Sequence, residues 1–424
     1  MTDGDASAGR PTDADASAVR PADAAVDATA HASTDPAINV GVVAAYTPGT
    51  EAEKLRRFAR RAVEDAETEL ANATGMEWQF HAEEPVRLPD DETRRPSDFL
   101  DEASLRMVEG PYDLVVVVTN ATLTSRRRKA VPGLASEVSR IAVVSVRQLT
   151  RTSRGRPSHD LDDEAVRWNA ATLVVHLLGH VLGVDHADGV MAPFRFDESR
   201  REVPSFGEKT ASRLRRRANR LPGQEEVVCG SLERFAFHVR AAVAHPRQVL
   251  LPLVRNRAPL LPLSLPKLAT AAVTPTLVLV FSAETWDVGV HMTSAVAGGV
   301  ALVSVLAATV YLTLIQRLFF PRKDKRVLTE HMAVVNVAVF LTVLAAVVGL
   351  FVMVGLLMLG IELFIFPEDL ITNWPTLEDP EVGFVDLVHT SAFISTVGVL
   401  TGSLAGGLES RTVVRHLALF SDRP

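Results

Sequence analysis

The 424-residue chain has a single cysteine, Cys229, which excludes a disulfide framework within one chain. Lysine is scarce too. Six lysines stand against thirty-eight arginines, so every basic segment is arginine-dominated. Large apolar side chains are nearly missing from the first 36 residues, which are mostly Asp, Ala, Thr, Ser, Gly and Pro. Such a stretch cannot bury enough surface to offset its ordering entropy, and residues 1–36 are expected to be a disordered acidic tail. No charged segment followed by an apolar one opens the chain, so no signal peptide is expected. With a net charge of −7, nucleic acid is not an expected partner.

Residues 37–222 carry the pattern of a soluble α/β domain. "INVGVVAAY" (38–46) and "YDLVVVVTNAT" (112–122) are apolar runs that read as buried strands. "EWQFHAEEPVRL" (77–88) alternates like a further strand, and "RIAVVSVRQL" (140–149) reads as another. Leu55, Phe58, Ala62, Ala66 and Leu70 fall near helical spacing, and a short helix is expected over 97–108. A long helix is expected over 162–182. "SFGE" (205–208) has the form of a capping box opening another.

The mean hydropathy is positive despite the polar start, and the apolar excess lies at the C-terminal end. Residues 223–267 form a basic juxtamembrane segment with an amphipathic helix near 231–244 and then a proline-rich stretch. Arg234, Arg240, Arg247, Arg255, Arg257 and Lys267 suit an anionic bilayer surface; a linker covering apolar surface is the alternative. Residues 268–408 hold four apolar stretches, near 268–283, 291–315, 332–361 and 384–408, read as an all-α transmembrane bundle. The loop 316–331 holds Arg317, Arg322, Lys323, Lys325 and Arg326. The loop 362–383 is acidic, and the tail 409–424 carries Arg411, Arg415 and Arg423. The positive-inside rule then places the tail and the N-terminal domain in the cytoplasm of an integral membrane protein. Gly398, Gly402 and Gly406 suit close helix packing, and Asp386 and His389 lie near the outer end of the same span.

"HLLGHVLGVDH" (176–186) sets His176, His180 and His186 at i, i+4 and i+10. The first two imidazoles share one helix face. Gly183 can take the left-handed conformation that ends a helix, letting His186 return as a third ligand. Three neutral nitrogens with an open fourth position describe a catalytic-type zinc site holding one Zn²⁺. A buried helix with core histidines is the competing reading. Met191 follows in "DGVMAP".

These residues resemble the metzincin zinc metallopeptidases, whose motif HExxHxxGxxH precedes a methionine turn. "VPGLASEVSRIAVVSVRQL" (131–149) is similar to the stretch that archaemetzincins place before their zinc helix. The resemblance covers roughly 38–220 and implies a mixed twisted sheet, a zinc helix and a Met-turn. It also marks departures. Leu177 stands where the family has its general-base glutamate. Ala187 stands where the first cysteine of the family's second, structural zinc site would be. The methionine comes two residues early, and the segment between "VPGL" and "AVVS" is shorter than the family's.

Leucine can neither accept nor donate a proton. The chain is therefore expected to be a membrane-anchored, zinc-binding, peptidase-like module with impaired hydrolysis, engaging a protein or peptide ligand. An active metallopeptidase with another base is the alternative, with Asp185 as a candidate beside Asp188, Asp160, Asp162, Asp163 and Glu164. A small transporter or channel-like protein with a cytoplasmic sensor is the third reading. If the missing glutamate alone silences the site, Leu177→Glu should raise hydrolysis.

Overall fold

A computed structural model describes residues 37–90, 93–125, 129–150, 159–221, 227–228, 230–320, 327–367, 382–406 and 411–420. The acidic tail 1–36, Cys229, the Arg322–Arg326 cluster and the acidic loop 368–381 lie outside them.

The chain opens with β1 (Ile38–Tyr46), the nine-residue strand at the heart of the sheet. Helix α1 (Ala52–Thr74) buries Leu55, Phe58, Ala62, Ala66 and Leu70 and stops at Gly75, whose φ is +69°. The alternating stretch after it is two strands, β2 (Trp78–Ala82) and β3 (Val86–Arg87), both parallel to β1. Next come a 3₁₀ turn (Pro96–Phe99), α2 (Leu100–Glu109) and β4 (Leu114–Thr119). All six residues of β4 are buried, as a strand covered on both faces requires. Short β5 (Leu123–Thr124) and β6 (Ala130–Val131) pair with each other.

β7 (Gly133–Ser136) and β8 (Ile141–Ser145) then form an antiparallel hairpin, with Leu134 opposite Val143. The chain turns helical at once in α3 (Val146–Leu149), so only the first half of the apolar run 140–149 is strand. The six-stranded sheet runs β2-β1-β4-β8-β7, with β3 also on β1. All its pairings are parallel except β7 on β8, and β7 is an edge.

α4 (Glu164–Val181) and α5 (Glu208–Ala218) complete this part. α5 starts from Gly207, with no side-chain cap from Ser205. The Ser205 carbonyl instead accepts from Val190 N, holding the segment that follows the histidines. One face of the sheet buries Val40, Val42, Leu114, Val116 and Val144 against α1 and α4.

β9 (Val227–Val228) leads to α6 (Ser231–Ala244) and α7 (Pro246–Arg255). Much of the proline-rich stretch is thus helical: Pro246 sits in the first turn of α7, where its missing N–H has no intrahelical partner to lose. A 3₁₀ segment, Ala258–Ser264, follows. Beyond it lie α8 (Pro266–Leu279), α9 (Ala283–Val290), α10 (Ser294–Ile315), β10 (Val327–Leu328), α11 (Glu330–Phe364), α12 (Phe384–Gly406) and α13 (Arg411–Leu419). Among the described residues, three helices, α10, α11 and α12, are long and apolar enough to cross a membrane. The first expected span is a bent pair: α8 and α9 meet at 90°, and together they count as a fourth crossing only if taken as one. Gly398 and Gly402 let α12 lie against Ala272 and Thr276 of α8.

The second face of the sheet joins this helical bundle. Val43, Val115, Val117 and Val143 share one core with α2 and with Met332, Val335 and Val339 of α11. α13 docks at the junction: Arg415 pairs with Asp101, and its second guanidinium nitrogen donates to the Arg317 carbonyl at 2.9 Å. Ser136 Oγ on β7 donates to the Leu419 carbonyl at 2.8 Å.

Candidate metal centre

α4 is buried along almost its whole length, between the sheet and the segment that follows it. Asn169 pins that segment: its side chain donates to the Asp197 carbonyl (2.7 Å) and accepts from Asp197 N (3.0 Å). The helix ends at Gly183, with φ +74°, where Gly183 N donates to the His180 carbonyl and Val184 N to the Gly179 carbonyl. A β-carbon on Gly183 would collide with the guanidinium of Arg217 and the carboxylate of Glu137.

This turn brings the three histidines together. His176 and His180 are buried and His186 is the most exposed of the three. His180 Nε2 lies 3.1 Å from His176 Nε2 and 3.2 Å from His186 Nε2. The other ring nitrogens are engaged: His176 Nδ1 donates to the Val190 carbonyl (2.8 Å) and His180 Nδ1 to the Val184 carbonyl (2.7 Å). A carbonyl only accepts, so the proton of each neutral ring is on Nδ1 and Nε2 keeps its lone pair. Burial, reinforced by the neighbouring histidines, holds His176 down to about 4 and His180 down to about 3, so both rings are neutral at pH 7. Lone pairs facing each other at such distances repel unless a cation stands between them. Tetrahedral ligands about 2.0–2.1 Å from zinc stand roughly 3.3–3.4 Å apart, close to the spacing found. A helix with ordinary core histidines gives no account of this convergence. The donor set fits a metal that favours imidazole, and the carbonyls that orient it are the usual supports of such ligands.

Met191 is fully buried, and its sulfur packs on Gly179 of α4 together with Phe206. A side chain at Gly179 would displace both. Leu177 points away from water, at 1% exposure. A β-carbon on Gly133 would lie 2.6 Å from Leu177 Cδ1, so the leucine is wedged against the edge strand β7.

The acidic candidates separate. Asp160 and Asp162 pair with Lys54 at 2.7 and 3.0 Å, and Asp163 faces His159. They form a solvated cluster at the far end of α4. Asp185 and Glu137 instead border one cavity beside the helix-ending turn. Glu137 was not apparent from the sequence. It sits in the β7–β8 turn, which only the sheet pairing carries to Gly183. Burial raises its carboxyl, against the opposing pull of Arg217, Arg247 and Arg255.

No family model matches the chain. Among curated proteins, an archaemetzincin of Halobacterium salinarum is 34% identical over 147 residues, spanning 34% of this chain and 70% of the relative. The chain belongs to the archaemetzincin family. A relative of the same name from Natronomonas pharaonis is 28% identical over 176 residues, covering 40% of this chain and 88% of its own length. Two solved structures are also similar. The Methanopyrus kandleri archaemetzincin is 24% identical and covers 43% of this chain and 96% of its own, with a TM-score of 0.33. A zinc-dependent peptidase from Methanocorpusculum labreanum is 20% identical and covers 41% and 100%, with a TM-score of 0.30. The archaemetzincin part of this chain is zinc metallopeptidase-like, and its histidine triad could bind a metal.

Proposed function

We propose that this chain is a membrane-anchored archaemetzincin that holds one zinc through His176, His180 and His186. In this reading it is impaired as a peptidase and serves as a binding or regulatory module for a peptide or protein. The observation that carries the impairment is Leu177, buried against Gly133 where the family has a general base. Bound zinc would polarise a carbonyl and lower the pKa of its water towards about 7. Hydrocarbon at residue 177 cannot take that water's proton or pass it to a leaving amine. A positioned acid–base group contributes roughly 10²–10⁴ in rate, and that factor is missing here.

Membrane anchoring is supported by the three long apolar helices and the bent α8–α9 pair. The contacts of Arg415 with Asp101 and Arg317 put the end of α10, α13 and the α/β part on one side of the bundle. That arrangement supports an even number of crossings, with α8–α9 counted as one. The arginine-rich loop after α10 supports the reading in which that side is the cytoplasm.

Glu137 favours one alternative, an active peptidase with a non-standard base, because its buried carboxylate lies at Gly183 between two ligands. The full-length protein, zinc-loaded in detergent, is to be assayed on a mixed peptide library with and without chelator. Cleavage is expected to fall at least ~100-fold short of an ordinary peptidase. Chelator-sensitive cleavage at ordinary rates, abolished in Glu137→Gln, would establish the alternative.

A further inference from the structure

Beside the metal centre, and distinct from it, is an open cavity of about 770 Å³ between α5 and the corner where α6 meets α7. Arg213, Arg216, Arg217 and Arg220 line one wall at i, i+3, i+4 and i+7, a single face of α5 and the turn after it. Arg247 lines the opposite wall in the first turn of α7, whose backbone N–H groups add positive potential. Among the described residues, the lining sets two carboxylates, Glu137 and Asp185, against these five guanidinium groups, an excess of three positive charges. His245, at the same corner, is turned to Glu330 at 3.2 Å. The charges oppose one another: burial first, then Arg247 and Arg213, disfavour the charged form of Arg217, while Glu137 and Asp185 favour it. Repulsion of this kind among partly desolvated cations is relieved by an anion whose oxygens several guanidinium groups can share. Forked guanidinium groups match the oxygens of a phosphate.

The rim indicates where such an anion would come from. Leu232, Phe235, Val239 and Val243 form one apolar stripe along α6 that ends at the cavity mouth. They are exposed by 88%, 73%, 48% and 74%. Val254 of α7 is exposed by 77%. Apolar faces beside a cationic cavity suit an amphiphile with a phosphate head.

We propose that this cavity binds a phosphate-bearing anion, and that the headgroup of an anionic phospholipid is its ligand. The lipid source rests on the membrane reading above; the phosphate chemistry does not. Occupancy would be felt at the metal centre. Arg217 donates to the Leu182 carbonyl at 3.1 Å and packs on Gly183, in the turn between His180 and His186. A ligand competing for this guanidinium changes the support of the turn that delivers the third histidine.

The test uses full-length protein in neutral detergent, with thermal shift and equilibrium dialysis as readouts. The probes are a short-chain phosphatidylglycerol, the matching phosphatidylcholine, inorganic phosphate and a hexaglutamate peptide. Arg213→Gln/Arg247→Gln is the variant, because it spares Arg217 and the metal ligands. Phosphatidylglycerol is expected to bind and phosphatidylcholine not, with the variant weakening binding by roughly 100-fold for two lost charged contacts. Equal protection by inorganic phosphate, lost in the same variant, would keep the phosphate site and make its source soluble. Binding of hexaglutamate alone, phosphatidylglycerol binding unchanged in the variant, or no binding at all would overturn the proposal. None of these readouts requires zinc or peptide cleavage, so they stand or fall apart from the peptidase reading.

Discussion

Leu177 follows His176 in α4, and its methyl group presses on Gly133. There is no room beside it for a solvated carboxylate. Leu177→Glu is therefore expected to destabilise the protein by roughly 3–5 kcal/mol, the cost of an uncompensated buried charge, without gaining hydrolysis. Denaturant unfolding beside a cleavage assay checks this. A variant as stable as the parent with new chelator-sensitive cleavage would show that the cleft accepts a base. The buried histidines make a second prediction. His176 and His180 are held at about 4 and about 3 in the fold, whereas an unfolded chain protonates them near 6.5. The unfolded state thus binds more protons below 6.5. The metal-free protein is expected to lose stability progressively from about pH 6.5 down to about pH 3, with nothing further lost through these groups above pH 7. Denaturant midpoints of chelated protein should fall more steeply over this range than those of His176→Ala/His180→Ala; parallel curves would contradict the assignment. The spacing of His176, His180, Gly183, His186 and Met191 was legible because all five lie in one local stretch. Glu137 and the Val184 and Val190 carbonyls were not, because a motif shows neither sheet pairing nor hydrogen-bond acceptors on the main chain.

Among the elements, β1 and β4 were legible as runs of apolar residues, since strands buried on both faces need no alternation. Periodicity misled where a short strand gives way to a helix, as at Val146, or is interrupted, as between Ala82 and Val86. The bend between α8 and α9 was invisible, because hydropathy records length and not direction. In the proposed membrane reading, the topology turns on it. With α8–α9 as one crossing, reporters fused after residues 220 and 324 should both report the cytoplasm. A reporter at 324 on the opposite side from one at 220 would make the bent pair re-entrant and leave three crossings.

At the scale of the molecule, the archaemetzincin part and the apolar helices share a core: the sheet face carrying Val115 and Val143 is continuous with Met332 and Val335 of α11. The C-terminal helix closes the circuit by returning to β7 through Ser136 and Leu419. The helix that carries His176 and His180 lies on the opposite face of that sheet, supported by Met191 and Phe206. The histidine triad is therefore held by a framework that extends through most of the described chain. The account depends on the three converging Nε2 atoms being metal ligands. Zinc content of the purified full-length protein, set against His176→Ala/His180→Ala prepared in the same way, tests this most directly. One zinc per chain is expected in the parent and none in the variant. A parent free of stoichiometric metal, or a variant that retains it, would contradict the account.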